Sequence, residues 1–316
     1  MEYDKQITYM LPGDEVEGFY LLKQAAVKTA SNGSRYLNAV LGDASGKIEA
    51  KVWDYSGPLG QADEGKIVKI RGEVGEFKGS LQLNVKKIRP ASPEDSYNIA
   101  DIVPTAPIDS VKELEFIRNL ISSFEDEDYR SICEYMLDRH ITAFGRIPAA
   151  KSIHHSFLCG LLMHTANMLR IADFLAVNIY PETVNRDLLL AGTLLHDFAK
   201  EREFALDDLG TVAGSTVEGM LLGHLVLGSE EIAEVGRELG VPEEKTVLLR
   251  HMLLSHHGKP EFGAAVLPCI AEAELLSHID MLDSRMEIYA ENYERMSAGE
   301  TSDRIFSLEK RIYKHE

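Results

Sequence analysis

Cysteine is scarce in this chain of 316 residues. Cys133, Cys159 and Cys269 are the only three, an odd number, widely spaced and each among apolar neighbours. That excludes a disulfide framework and predicts buried, reduced thiols. Long hydrophobic runs are also missing. The apolar stretch 188–195 ends well short of the roughly 18 residues that span a bilayer, and the opening MEYDKQITYM lacks a basic-then-apolar leader pattern. No membrane association is expected, and the cytoplasm is the expected compartment. Neither an internal repeat nor a low-complexity segment is present. With 45% hydrophobic and 27% charged residues, the composition excludes extensive disorder and fibrous architecture. Basic charge is in deficit, 33 Lys and Arg against 51 Asp and Glu, for a net charge of −18. Spread evenly, that balance would repel a polyanion. It is not even: residues 1–90 hold 13 basic and 12 acidic side chains, leaving 20 and 39 for residues 91–316.

The same division appears in the hydrophobic pattern. From 16 to 89 apolar residues alternate with a period near two, in runs bounded by glycine-containing turns. Five strands are predicted, near 16–29, 36–42, 47–53, 66–75 and 80–88, with turns at 31–33, 43–46 and 77–79. The interruption at 56–65 falls where a five-stranded Greek-key barrel of the OB type carries a short helix or loop. Residues 91–109, with Pro93, Pro104 and Pro107, have the composition of a semi-rigid connector that resists helix propagation. From Asp109 the period becomes 3.6, with Val111, Leu114, Ile117, Ile121 and Phe124 on one face and Asp109 or Ser110 as N-cap. Helices are predicted near 110–124, 127–143, 153–177, 186–203, 216–239, 243–257 and 268–295, so that everything to about 293 reads as helical.

Histidine and aspartate are placed unusually in this helical part. His164 lies on the stripe Phe157, Leu161, His164, Met168, Ile171 and Leu175, facing the core. A lone histidine there is more often a hydrogen-bonded core residue than a ligand, and its company is what changes the reading. His196-Asp197 ends the apolar run LLLAGTLLHDFAKE, where a carboxylate is costly unless it meets a cation or a metal. An ion pair with Lys200 or Arg202 is the simpler alternative. His224 sits within MLLGHLVLG, His256-His257 precede Gly258, and Asp280 follows an apolar stretch. Imidazoles and carboxylates suit Mn²⁺, Fe²⁺, Co²⁺, Ni²⁺ or Zn²⁺, and five imidazoles with two carboxylates exceed what one ion needs. His278 stands about 200° around the helix from Asp280 and His251 off the face of His256, so neither joins the set. His140 and His315 are expected to have no constellation around them, and Asp283 to orient a ligand or to pair with Arg285.

The order H…HD…H…HH…D resembles the HD-domain superfamily of metal-dependent phosphohydrolases in its two-metal form. The segments HHSFLCGLLMHT, DLLLAGTLLHDFAKE, TVEGMLLGHL, LLRHMLLSHHG, EAELLSHIDMLDSRM and RIFSLEKRIYK, behind an OB-like module, are similar to the YhaM-type 3′→5′ exoribonuclease family. The resemblance implies an N-terminal all-β OB-type barrel (1–90), a linker (91–109), an all-α HD-type helical bundle (110–300) and a tail (301–316). It implies that His164, His196, Asp197 and Asp280 hold one metal and His224, His256 and His257 a second, with Asp197 bridging. Lys200 matches the lysine expected to reach a substrate phosphate, so Asp197 and Lys200 are the expected catalytic pair. His154, His155 and Arg285 are the expected substrate contacts, although His154 and His155 read equally as the start of their helix. Two divalent transition-metal ions are implied, Mn²⁺ being the expected one.

Tyr36, Lys51, Trp53, Arg71 and Phe77 are the candidate nucleic-acid contacts of the barrel, since such barrels combine basic grooves with aromatic platforms. Trp53 and Phe77 read equally as core or platform. The function expected is 3′→5′ hydrolysis of single-stranded RNA, with single-stranded DNA as a second substrate and a homo-oligomer compatible with the family. The alternatives are a phosphohydrolase of small nucleotides or cyclic dinucleotides, with the barrel used for assembly, and a non-enzymatic RNA-binding protein. The absence of a GYP-type tripeptide weighs against cyclic dinucleotides.

Overall fold

The computed structural model describes residues 2–31, 33–150, 157–207 and 209–316. The chain forms two compact units, Met1–Thr105 with Asp207–Leu209, and Ala106–Leu206 with Gly210–Glu316.

In the first unit the strands are β1 (Glu2–Tyr3), β2 (Glu15–Thr29), β3 (Arg35–Gly42), β4 (Lys47–Val52), β5 (Ile67–Phe77) and β6 (Ser80–Pro90). Their order is β1-β2-β3-β4-β6-β5, and β2 also pairs with β5, which closes the sheet into a barrel. The closure depends on the length of β2. Its first half runs antiparallel to β5 from Glu15 to Leu21, and its second half runs antiparallel to β3 from Leu21 to Thr29. A register shift between Leu22 and Gln24 lets the strand bend from one partner to the other. Inward residues such as Val16, Tyr20, Leu22, Leu37, Leu41, Ile70 and Leu83 fill the interior. The five expected strands are present, with the segment before β5 carrying one short 3₁₀ turn, Gln61–Asp63. Three elements escaped the pattern: β1, parallel to β2, a 3₁₀ turn at Ile7–Tyr9, and α1 (Ile99–Ile102), a single helical turn inside the proline-rich stretch. Asn98 accepts from the amide of Ala100, so four residues between Pro93 and Pro104 suffice for that turn.

The second unit contains α2 (Ser110–Ser122), α3 (Glu127–Phe144), α4 (Gly160–Asn178), α5 (Arg186–Leu195), α6 (Lys200–Glu203), β7 (Phe204–Leu206), β8 (Val212–Ser215), α7 (Val217–Leu239), α8 (Glu243–Ser255) and α9 (Ala271–Glu294). Asp109, Asp126, Asn185 and Thr216 cap their helices through side-chain oxygens, as short polar residues before an apolar-periodic run should. The main core is built on Ile132, Leu137, Leu161, Leu189, Leu253 and Leu276. After α9 the tail folds back, burying Leu308 and Ile312 against Ile288, while Lys314 Nζ donates to the carbonyls of Tyr293 and Met296 at the helix end.

Three expectations need correction here. The helix predicted at 186–203 breaks after Leu195 and resumes only as α6. The imidazole of His196 donates to the carbonyl of Thr193 at 2.7 Å, and so occupies an acceptor that a continuing helix would use. The region before 293 is also not wholly helical, because β7 and β8 form an antiparallel hairpin too short for periodicity to reveal. Finally, only Cys133 is buried, whereas Cys159 is partly exposed and Cys269 exposed. No helix among the described residues is long and apolar enough to cross a membrane.

Candidate active site

Three helix ends and two helix interiors supply the site. His164 comes from the first turns of α4, His196 and Asp197 from the turn after α5, His224 from within α7, His256 and His257 from the end of α8, and Asp280 from α9. They meet in two groups whose ligand atoms lie within 4.8 Å of one another: His164, His196 and Asp197, and His224, His256 and His257. Asp197 stands between the groups. Its Oδ2 lies 3.1 Å from Nε2 of His196, and its Oδ1 lies 3.3 Å from Nε2 of His224 and 3.8 Å from Nε2 of His256. Asp280 Oδ1 is 3.3 Å from Nε2 of His164, which places it with the first group.

The outer nitrogen of four rings is already committed. His196 Nδ1 donates to the carbonyl of Thr193 and His256 Nδ1 to that of Leu253, at 2.7 and 2.8 Å. A carbonyl can only accept, so both rings carry their proton on Nδ1 and present an Nε2 lone pair inward. His164 Nδ1 faces Asp283 Oδ2 at 2.7 Å and His224 Nδ1 faces Glu203 Oε2 at 2.6 Å. Carboxylates behind imidazoles are how proteins orient metal-binding histidines. Inside the site, Nε2 of His196, His224 and His256, Nδ1 of His257 and Oδ1 of Asp197 are buried and make no hydrogen bond. Buried polar atoms without partners are costly, and five of them aimed at one volume fit metal ions well.

The electrostatics agree. Burial opposes ionisation of Asp197, but Lys200, then His196 and His224, hold its carboxyl well below the usual range. Burial likewise opposes ionisation of Asp280, and His164 outweighs it. Burial, with His257 and His196 beside it, pushes His256 far below the usual imidazole range, and burial together with His224 lowers His257. These two rings are therefore neutral, as ligands must be. His164 differs: burial lowers it, yet Asp280 and Asp283 outweigh burial and bring it up to about 9. A ring gripped by two carboxylates favours positive charge, which a metal ion on Nε2 supplies as well as a proton does.

Lys200 donates to Asp197 Oδ2 at 2.6 Å and to the carbonyl of Ala149 at 2.7 Å, so the simple ion pair exists within the larger constellation. Arg202 pairs instead with Glu218. A cavity of about 430 Å³ opens on the site and is lined by Lys200 and Arg285 among others. His154 and His155 lie outside the described residues. His278 is exposed and bonded to Glu274, and His251 accepts from the amide of Cys269, so neither joins the ligand groups. Among the described residues His315 hydrogen-bonds only its neighbour's carbonyl. His140 is a correction: it does have a constellation, buried between Glu201 at 2.7 Å and Glu231 at 2.9 Å. Sequence reasoning also missed Glu203, whose Oε2 takes both the amide and Nδ1 of His224. Only its position three residues after Lys200 was visible, and spacing alone does not reveal a contact across a hairpin.

On the barrel, Trp53 and Phe77 are about half exposed, so neither is core. Tyr36 and Trp53 lie with ring centroids 5.0 Å apart, and Lys51 Nζ stands 5.1 to 5.8 Å from the rings of Tyr36, Trp53 and Phe77. Arg71 lines a neighbouring cleft of about 620 Å³ together with Trp53, Lys69, Lys86, Lys87 and Arg89. Glu15, Glu17 and Glu73 neutralise Lys86 and Lys69, whereas Arg71, Lys51 and Lys87 have no carboxylate partner among the described residues.

Residues 23–91 match the family model described as OB-fold nucleic acid binding domain, and residues 161–285 match the HD domain model. Together with the histidine and aspartate cluster, these define an OB-fold module joined to an HD domain. The chain is 38% identical to 3′-5′ exoribonuclease YhaM of Bacillus subtilis (strain 168) over 307 residues, 95% of each chain. It is also 38% identical to the proteins of that name from Geobacillus sp. (strain WCH70), covering 98% of this chain and 94% of the relative, and from Shouchella clausii (strain KSM-K16), covering 98% and 96%. The chain belongs to the YhaM 3′-5′ exoribonuclease family.

Proposed function

We propose that this protein is a metal-dependent 3′→5′ exonuclease that hydrolyses single-stranded RNA, with single-stranded DNA as a second substrate. The observation that carries the reading is the convergence of five unpartnered ligand atoms from His196, Asp197, His224, His256 and His257 on one volume beside a nucleotide-sized cavity. In this reading His164, His196, Asp197 and Asp280 hold one divalent ion and His224, His256 and His257 a second, with Mn²⁺ as the proposed metal and Asp197 shared. The division of Asp197 supports that sharing, since its two oxygens face different groups. When bound there, divalent ions would supply Lewis-acid polarisation of a phosphodiester and a water of lowered pKa at neutral pH.

The chain's own residues do the rest. Asp283 and Glu203 fix the rings of His164 and His224, so the site is organised before substrate arrives. Lys200, anchored on Asp197 and Ala149, holds a preorganised cation next to the reacting phosphate. Arg285 adds a second cation at the cavity wall. On the barrel, Tyr36, Trp53 and Phe77 offer stacking faces around Lys51, and Arg71 offers charge for the backbone.

The test is a 5′-labelled oligoribonucleotide incubated with the metal-loaded protein, beside the same sequence as DNA and a cyclic dinucleotide. Stepwise shortening of the label with release of mononucleotides is the expected result. Turnover of the cyclic dinucleotide with an intact oligoribonucleotide would overturn the reading in favour of a small-nucleotide phosphohydrolase.

A further inference from the structure

The lining of the cavity at the site is of two kinds. Beside the proposed ligands it includes Phe262, Met281 and Ile288 and the cations Lys259 and Arg285. The cavity's volume of about 430 Å³ lies within the range of small-ligand sites, about 300 to 1,000 Å³.

Phe262 stands out in that lining. The residue is 67% exposed and makes no ring or cation contact with any described residue. A single exposed phenylalanine is unremarkable on a surface, but this one is held firmly and close to the chemistry. It sits in a 3₁₀ turn, Pro260–Phe262, separated from His257 only by Gly258 and Lys259. Lys259 donates its amide to the carbonyl of His257 at 2.8 Å, Phe262 donates to Lys259 at 2.9 Å and Ala264 to Lys259 at 3.2 Å. The turn then leaves through Gly263, with φ of 105°, where an added Cβ would stand 3.0 Å from Nδ1 of His257. Backbone that carries a proposed ligand thus also carries the phenyl face. The charges beside it are uncommitted: unlike Lys200, neither Lys259 nor Arg285 has a carboxylate partner among the described residues.

We propose that Phe262 is the platform on which the base of the substrate's 3′-terminal nucleotide stacks, with Lys259 and Arg285 meeting its phosphate charge. The inference rests on the exonuclease reading and adds a specificity-determining residue to it. Every nucleobase has a face to stack, so the platform accepts all four bases while rejecting a terminus that has none. It also explains why apolar lining adjoins a site for a polyanion, since one terminal nucleotide presents both an aromatic ring and charge.

First-cleavage kinetics on two oligoribonucleotides, one ending in adenosine and one in an abasic ribose, test this with intact protein, Phe262→Ala and Phe262→Tyr. For the adenosine-ended RNA, Phe262→Ala should raise KM at least about fivefold, the lower end of what loss of a stacked aromatic does, and Phe262→Tyr should restore it. Metal content and kcat should stay within about twofold, because binding alone has been removed. On the abasic RNA, intact protein and Phe262→Ala should share one KM. An unchanged KM on the adenosine-ended RNA, or an equal rise on both, overturns the platform while leaving exonuclease activity in place. Intact protein that shortens neither RNA overturns the exonuclease reading and the platform with it.

Discussion

Asp283 and Asp280 grip the two nitrogens of one imidazole: Asp283 Oδ2 lies 2.7 Å from Nδ1 of His164, and Asp280 Oδ1 lies 3.3 Å from its Nε2. Residues three apart on α9 share a face, so one helix orients the ring from behind and completes the group in front. Glu203 does the same for His224 from α6. Asp283→Asn and Glu203→Gln should therefore each lower metal affinity or activity about 10- to 100-fold while the fold persists. Titration of metal into chelator-treated protein measures it, and unchanged affinity with unchanged turnover in both variants would contradict the assigned role.

Asp197→Ala should reduce hydrolysis to background, because one carboxylate faces both ligand groups. His278→Ala is the control, since its side chain is 61% exposed and bonds only Glu274. Elemental analysis should find close to two transition metals per chain in intact protein and in His278→Ala, and fewer in Asp197→Ala. Similar loss of activity in both variants at equal metal content would refute the assignment of helix faces.

The barrel variants separate charge from stacking. Lys51→Ala should reduce the slope of log affinity against log salt for an oligoribonucleotide by about 0.7, the value for one contact to a single strand. Trp53→Ala should leave that slope alone and weaken binding by about 1 to 3 kcal/mol, the loss of one stacked base. Neither should alter hydrolysis of a small activated phosphodiester. If both leave RNA binding intact, the exposed cluster around Lys51 is not an RNA surface.

His140 predicts a pH-dependent stability. Burial opposes its protonation, but Glu201 and Glu231 outweigh burial and bring it up to about 9 from an ordinary 6.5. A raised folded-state pKa means the imidazolium stabilises fully below about 6.5 and that the contribution fades as pH rises through about 9. Arg139 also pairs with Glu231, at 3.2 Å. The stability difference between intact protein and His140→Gln should be on the order of 2 kcal/mol at pH about 6 and shrink toward zero by pH about 10. Denaturant melts across that range measure it, and a difference that stays constant would show that the ring does not titrate there.

Much of this was legible because the relevant signals are local. Alternation located β2 to β6, since each strand has one face on the barrel core. The stripe containing His164 was readable because its neighbours on α4 are buried, and HD, HH and the lone His224 stood out in apolar surroundings. What could not be read is set by distance along the chain. Glu203 meets His224 across 21 residues, and His140 meets Glu231 across 91, and no periodicity encodes either pairing. The break after α5 was hidden differently, since the imidazole that ends the helix is also the residue that looked like its continuation.

Gly223 gives α7 an unusual mechanical character. Its φ of 72° and ψ of 160° leave the helical region, so the 23 residues are two rods joined by a swivel. The amide of His224, free of the helical ladder, is taken by Glu203 at 2.9 Å. On the inner rod Leu227, Ile232 and Val235 are fully buried, whereas on the outer rod Val217, Met220 and Leu221 are 70% exposed or more. Opening free energies should then change abruptly at this residue, with amides 217–222 exchanging with solvent deuterium long before those of 225–239. The ligand-bearing rod can stay closed through excursions of the other, so the centre is insulated from fraying at the start of its own helix.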